Sequence, residues 1–105
     1  MMRFSEADNG KTVEVPIGQE IEVALTENPT TGFRWRMAQA GEPVCAYEND
    51  SFDPGMAAPG MAGSHAWRFK VVAAGTSSIE LDHRRPWEDG SDGGAAYALR
   101  LVVKA

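Results

Sequence analysis

Phe33-Arg34-Trp35-Arg36-Met37 decides the fold. Its apolar residues occupy every second position with arginines between them, the period of a strand that buries one face and wets the other. The same period continues on both sides. Upstream, Glu20-Ile21-Glu22-Val23-Ala24-Leu25 sets Ile21, Val23 and Leu25 on one face against Glu20 and Glu22, and Thr12-Val13-Glu14-Val15 is a shorter run, with Gly10 and Gly18 as punctuation. Downstream, Trp67, Phe69 and Val71 alternate with Arg68 and Lys70. Ala74-Gly75-Thr76 then turns into Ser78-Ile79-Glu80-Leu81-Asp82, a spacing that predicts a hairpin, and Tyr97, Leu99, Leu101 and Val103 alternate towards the C-terminus. The stretch from Val44 to Phe52 alternates poorly and reads as a short edge strand, ending in the turn chemistry of Asp53-Pro54-Gly55. Helical periodicity is nearly absent. About seven short strands separated by turn signals predict an all-β, immunoglobulin-like antiparallel β-sandwich, with Trp35 and Trp67 in its core.

The 105 residues leave room for one domain, 1–105, and no repeat or long linker divides them. With 43% hydrophobic and 24% charged residues the chain has enough apolar surface to fold without metal or disulfide support. A formal charge of -5 opposes a phosphate backbone as partner, so nucleic acid is not expected. No apolar run is long enough to span a membrane, and Met1-Met2-Arg3 leads into Phe4-Ser5-Glu6-Ala7-Asp8 in place of the apolar stretch of a secretory signal. The expectation is a soluble, monomeric chain, untargeted unless a leader has been removed. Cys45, the one cysteine, excludes an internal disulfide and leaves the redox compartment open.

Three connections carry more information than a solubilising loop requires. In Asn28-Pro29-Thr30-Thr31-Gly32, Asn28 can close an Asx turn, Pro29 fixes φ, both threonines are stiff at χ1 and Gly32 permits a positive φ before the strand resumes. Such a loop is rigid before it meets a partner and loses little ordering entropy on binding; the plain alternative is a well-formed turn. The second connection, Asp53 to Ser64, is long, rich in small residues, and brackets Met61-Ala62 between Gly60 and Gly63. Its glycines allow close backbone approach, and Met56 and Met61 offer adaptable apolar contact, although its composition alone suits mere slack better. The third runs from Arg84 to Gly94 and carries Arg85-Pro86-Trp87 ahead of acidic and glycine positions. Tryptophan and arginine are enriched in binding hot spots, so this tip is either a recognition element or a Trp87 folded back over the sandwich end with Arg85 stacked on it. Arg84 and Arg85 also make a local positive spot on an acidic chain. In an immunoglobulin-like topology these are the B–C, D–E and F–G connections, which gather at one end of the sandwich. Three unusual loops at one end imply a three-pronged binding edge.

Chemistry of other kinds finds little support. Cys45 with His65 or His83 lacks any spacing that would make a nucleophile–base pair, and adding Asp82 does not produce a metal-ligand cluster. Both histidines read as solvated or hydrogen-bonded strand residues, Cys45 as a small buried one, and Glu88-Asp89 as a solvated loop face. Asn49-Asp50-Ser51 fits a glycosylation acceptor, relevant only in a eukaryotic secretory setting, whereas Pro29 excludes Asn28-Pro29-Thr30.

With these residues in view, the chain resembles the chagasin family, small immunoglobulin-fold inhibitors of papain-like cysteine proteases, over nearly its whole length. The resemblance rests on Asn28-Pro29-Thr30-Thr31-Gly32-Phe33 with Trp35 two residues on, on Gly60-Met61-Ala62-Gly63 before an aromatic strand, on Ala73-Ala74-Gly75-Thr76 and on Arg85-Pro86-Trp87. It implies that the first loop covers the protease's catalytic cysteine and histidine, with Thr30, Thr31 and Gly32 at the centre. Trp87 would stack on an aromatic wall with Arg85 beside it, and Gly60 to Gly63 would lie along the opposite wall. The middle loop departs most from the family pattern. The implied activity is reversible competitive inhibition by occlusion, without catalytic residues, metal or cofactor in this chain. A second possibility of another class is an immunoglobulin-like adhesion or assembly module using the same edge.

Overall fold

Alternation in the sequence becomes two facing sheets in the structure, a computed structural model that describes residues 1–27, 34–53, 63–84 and 96–104, with Arg34, His83 and Arg84 described in their backbone only. The strands are β1 (Met2–Phe4), β2 (Thr12–Glu14), β3 (Glu20–Glu27), β4 (Arg34–Ala40), β5 (Cys45–Asp53), β6 (Gly63–Val71), β7 (Gly75–Arg84) and β8 (Ala96–Val103), with one 3₁₀ turn at Glu6–Asp8. One sheet has the order β1-β3-β6-β5 and the other β2-β8-β7-β4. The inward residues are those the period picked out: Ile21, Val23 and Leu25 on β3, Trp67, Phe69 and Val71 on β6, Ile79 and Leu81 on β7, and Tyr97, Leu99, Leu101 and Val103 on β8. Trp35 and Met37 of β4 pack on this core from its rim.

Three features of the topology go beyond the sequence reading. The chain's first strand, β1, runs parallel to β3, and β2 runs parallel to β8, while the other pairs are antiparallel. The N-terminal segment therefore serves both sheets, switching between them through the turn at Glu6–Asp8. The expected hairpin of β6 and β7 does not form: β6 lies between β3 and β5, and β7 between β4 and β8, so residues 72–74 cross from sheet to sheet. Crossing is held by Val44, whose carbonyl accepts the N–H groups of Val72 at 2.8 Å and Ala73 at 3.2 Å. A sheet-crossing link and a hairpin turn can have equal length, and each of these central strands needs two neighbours to satisfy its backbone. Lastly, β5 is an edge strand as expected, and its weak alternation has two causes. A bulge between Tyr47 and Asn49 breaks the register, and every residue after Cys45 is exposed.

Candidate functional site at the loop-bearing end

Strand register gathers the roots of three connections at one end. Glu27 at the end of β3 pairs with Gly63 at the start of β6, and Asp53 at the end of β5 pairs with Ser64. In the second sheet Arg34 at the start of β4 pairs with Arg84 at the end of β7, and Asp82 pairs with Ala96 at the start of β8. Two hydrogen bonds join the sheets here: the Trp35 N–H donates to Glu27 Oε2 and the Trp35 indole Nε1–H to the Thr26 carbonyl, each at 2.9 Å. Connections 28–33, 54–62 and 85–95 thus depart from and return to the same end.

Of the residues expected to bind, Gly63 opens β6 and is partly buried opposite Glu27. Asn28, Pro29, Thr30, Thr31, Gly32, Phe33, Gly60, Met61, Ala62, Arg85, Pro86 and Trp87 lie outside the described residues.

What the described residues reveal is the frame beneath those loops. Glu27 continues the inward register of Ile21, Val23 and Leu25, yet it is a carboxylate with a side chain only 3% exposed. A buried carboxylate needs donors to offset its lost hydration, and it has them in the Trp35 N–H and in His65, whose Nδ1 lies 3.1 Å from Oε1. The other His65 nitrogen, Nε2, lies 2.6 Å from Asp50 Oδ2. The His65 ring stacks on Trp67 with centroids 4.0 Å apart and planes within 2°, and Phe52 meets it edge-on. Tyr47 donates its hydroxyl to Asp50 Oδ1 at 2.5 Å. That bond, followed by the one to His65, holds the Asp50 carboxyl below the usual carboxylate range. Burial, followed by the hydrogen bond and charge of Asp50, pushes the Tyr47 phenol up to about 12.

The N-terminal turn braces the opposite side of the same end. Glu6 accepts the Thr26 N–H, where β3 has run past its parallel partner β1. Asn9 holds β8 from both directions, donating to the Ala96 carbonyl at 3.2 Å and accepting the Ala98 N–H at 2.9 Å. Tyr97 donates its hydroxyl to the Ser5 carbonyl at 3.0 Å. The turn is held by Asp8, which accepts the Ser5 N–H at 2.9 Å and pairs with Lys11 at 3.2 Å.

No grouping of His, Cys, Asp and Glu among the described residues could hold a metal ion. Cys45 pairs with Val71 at the far end of β6, six residues from His65, which at about 3.3 Å per residue is roughly 20 Å. That separation removes the Cys45–His65 nucleophile–base pair from consideration. Glu27, Asp50, Glu6 and Asn9 were not singled out from the sequence. For Glu27 a signal existed, since it occupies the next inward position after Leu25, as His65 does before Trp67.

A sandwich whose core is spent on stability and whose three loops spring from one braced end defines a loop-presenting binding scaffold. The chain belongs to the chagasin family of peptidase inhibitors: residues 14–101 match the family described as Chagasin family peptidase inhibitor I42. It is similar to chagasin of Trypanosoma cruzi, with 32% identity over 94% of each chain. Among solved structures it is similar to the cysteine protease inhibitor EhICP2 of Entamoeba histolytica, with a TM-score of 0.83 at 22% identity over 98% of this chain and 94% of that one. PbICP-C, solved in complex with falcipain-2, shares the fold with a TM-score of 0.73 at 14% identity over 99% of this chain and 100% of that one.

Proposed function

We propose that this chain is a reversible, competitive inhibitor of papain-like cysteine proteases that occludes the active-site cleft with the loops at 28–33, 60–63 and 85–87. The observation that carries this reading is the convergence of all six strand ends flanking those loops at one braced end of the sandwich, in a chain of the peptidase-inhibitor family. A relative by fold is solved in complex with a protease, falcipain-2, which supports the same mode of use. Asn28 to Phe33 covers the catalytic cysteine and histidine, with Thr30, Thr31 and Gly32 central. Arg85, Pro86 and Trp87 grip one wall, and Gly60, Met61, Ala62 and Gly63 the other. The inhibitor works as a monomer and supplies no reacting group, so the protease is covered and not consumed. Titration of active papain with the purified chain tests the reading. Stoichiometric loss of activity, relieved by excess substrate and leaving the inhibitor intact, supports it. Full activity at micromolar inhibitor, or steady cleavage of the chain, would shift the assignment to an adhesion or assembly module.

A further inference from the structure

We propose that Glu27, His65 and Asp50 are positioning residues for inhibition, forming a bridge that fixes the roots of the 28–33 and 54–62 loops only while the His65 ring carries both of its protons. The proposal rests on the inhibitory reading above and concerns residues outside the loops themselves. Its basis is that both ring nitrogens face carboxylate oxygens, at 3.1 Å on Glu27 and 2.6 Å on Asp50. A neutral imidazole has one N–H and one lone pair, so it can satisfy one carboxylate and must oppose the other. Only the imidazolium donates to both, with the added strength of charge-assisted bonds. The ring is held in place between the two carboxylates by its flat stack on Trp67.

The bridge adds side-chain bonds to the backbone pairing of β3, β6 and β5 and, through Glu27, reaches the opposite sheet, which that pairing leaves apart. Glu27 immediately precedes the first loop, and its other oxygen holds the N–H of Trp35, just beyond that loop in the opposite sheet. Asp50 lies on β5, which leads into the second loop, and His65 lies on β6, which leads out of it. The ring therefore ties β6 to β3 and β5, and Glu27 carries the link on to β4, where two loops depart. Losing one of its bonds leaves Glu27 with the Trp35 N–H, or Asp50 with the Tyr47 hydroxyl, but no longer joined to His65, so a looser frame has to be ordered when a protease binds. Among the described residues, the titratable groups at this ring are Glu27 from β3 and Asp50 from β5. Tyr47 stands behind Asp50, and Glu6 of the N-terminal turn reaches the neighbouring Thr26 N–H. From β4 the Trp35 N–H reaches Glu27, and it does not titrate.

Two measurements test the bridge. In the first, NMR follows the His65 ring and the Trp35 backbone amide of the free chain through a pH series. The Trp35 amide is expected to move together with the His65 ring signals, and an amide that stays flat while those signals change would overturn the proposal. The second compares inhibition of papain by wild type and His65→Gln at each pH, so that the protease's own titration cancels in the ratio. The variant is expected to be weaker by about tenfold at the acidic end, the scale of one charge-assisted hydrogen bond, and nearly equal to wild type at the alkaline end. A ratio that is constant across pH would mean that His65 is merely structural. Should His65→Gln fail to fold, Asp50→Asn removes the partly exposed partner, 42% open to solvent, and is expected to flatten the same profile. The NMR measurement needs no protease, so an inert wild-type chain would defeat the inhibitory reading while the bridge is still decided by the Trp35 amide.

Discussion

Glu27 accepts the backbone N–H of Trp35 at 2.9 Å across the gap between the two sheets. Together with the bond from the Trp35 indole N–H to the Thr26 carbonyl, this bond closes the neck of the first loop, because the residues joined stand just before and just after that loop. Replacing Glu27 by alanine leaves the Trp35 N–H and one His65 nitrogen without their acceptor, a loss of about 1–3 kcal/mol. Urea unfolding of Glu27→Ala is expected to show that decrease, and Glu27→Gln, which keeps an acceptor, a smaller one. Equal stability of Glu27→Ala and wild type would show that the neck is closed by other means.

Trp87→Ala is expected to weaken papain inhibition by about 2 kcal/mol or more, roughly 30-fold, as truncation of an interface anchor does. Its thermal midpoint should stay near that of wild type, because an anchor spent on binding is not part of the core. The alternative in which Trp87 packs back on the sandwich predicts the reverse, a lower midpoint with inhibition changed little.

Gly41, with φ at +79°, sits where an added Cβ would lie 3.2 Å from Cys45 Cβ and 3.3 Å from Ile79 Cγ1. Both neighbours are buried. Gly41→Ala therefore combines a left-handed backbone with overpacking and is expected to destabilise by about 1–3 kcal/mol. Because Gly41 lies at the end remote from the loops, papain inhibition by the folded fraction should be unchanged; a circular dichroism melt and an active-site titration read the two effects.

The hydrogen bond from Tyr47 and the bond to His65 lower the Asp50 carboxyl from its ordinary range. A carboxyl depressed in the fold contributes stability that is complete above its unfolded value, about 3.9, and is lost as pH falls through the lower folded one. Asp8 is shifted the same way, by the Ser5 N–H and then by Lys11. Unfolding free energy is expected to decline below about pH 4, and Asp50→Asn to make that decline shallower. An identical acid profile for Asp50→Asn and wild type would contradict this contribution.

Burial raises the Cys45 thiol to about 11. At neutral pH the folded chain should react with an aromatic disulfide reagent far more slowly than the urea-unfolded chain, since the thiolate is the reactive form. Rapid native-state labelling would mean that the far end of the sandwich opens readily.

Much of this architecture was legible because strand period and burial are the same fact. Ile21, Val23 and Leu25, or Leu99, Leu101 and Val103, can be interior only if the chain is extended. Pairing was less legible. Met2–Phe4 is too short to display a period, and β6 and β7 are joined by a link whose length suits a hairpin and a sheet crossing equally. The loops at 28–33, 60–63 and 85–87 stood out by residue type, and the positions of their roots follow from register. The frame below them did not stand out, because Glu27, His65 and Asp50 are separated in sequence and meet only once β3, β6 and β5 are side by side. Glu27 and His65 did leave a trace, as polar residues at inward positions where the apolar stripes of β3 and β6 stop.

Hydrogen exchange of the chain, free and bound to papain, tests the three-loop edge most directly. Backbone amides in 28–33, 60–63 and 85–87 are expected to slow on binding, while those in 15–19, 41–44 and 72–75 at the far end keep their free rates. Protection confined to the far end or to the exposed edge of β5, with the three loops exchanging as in the free chain, would contradict the occlusion mechanism.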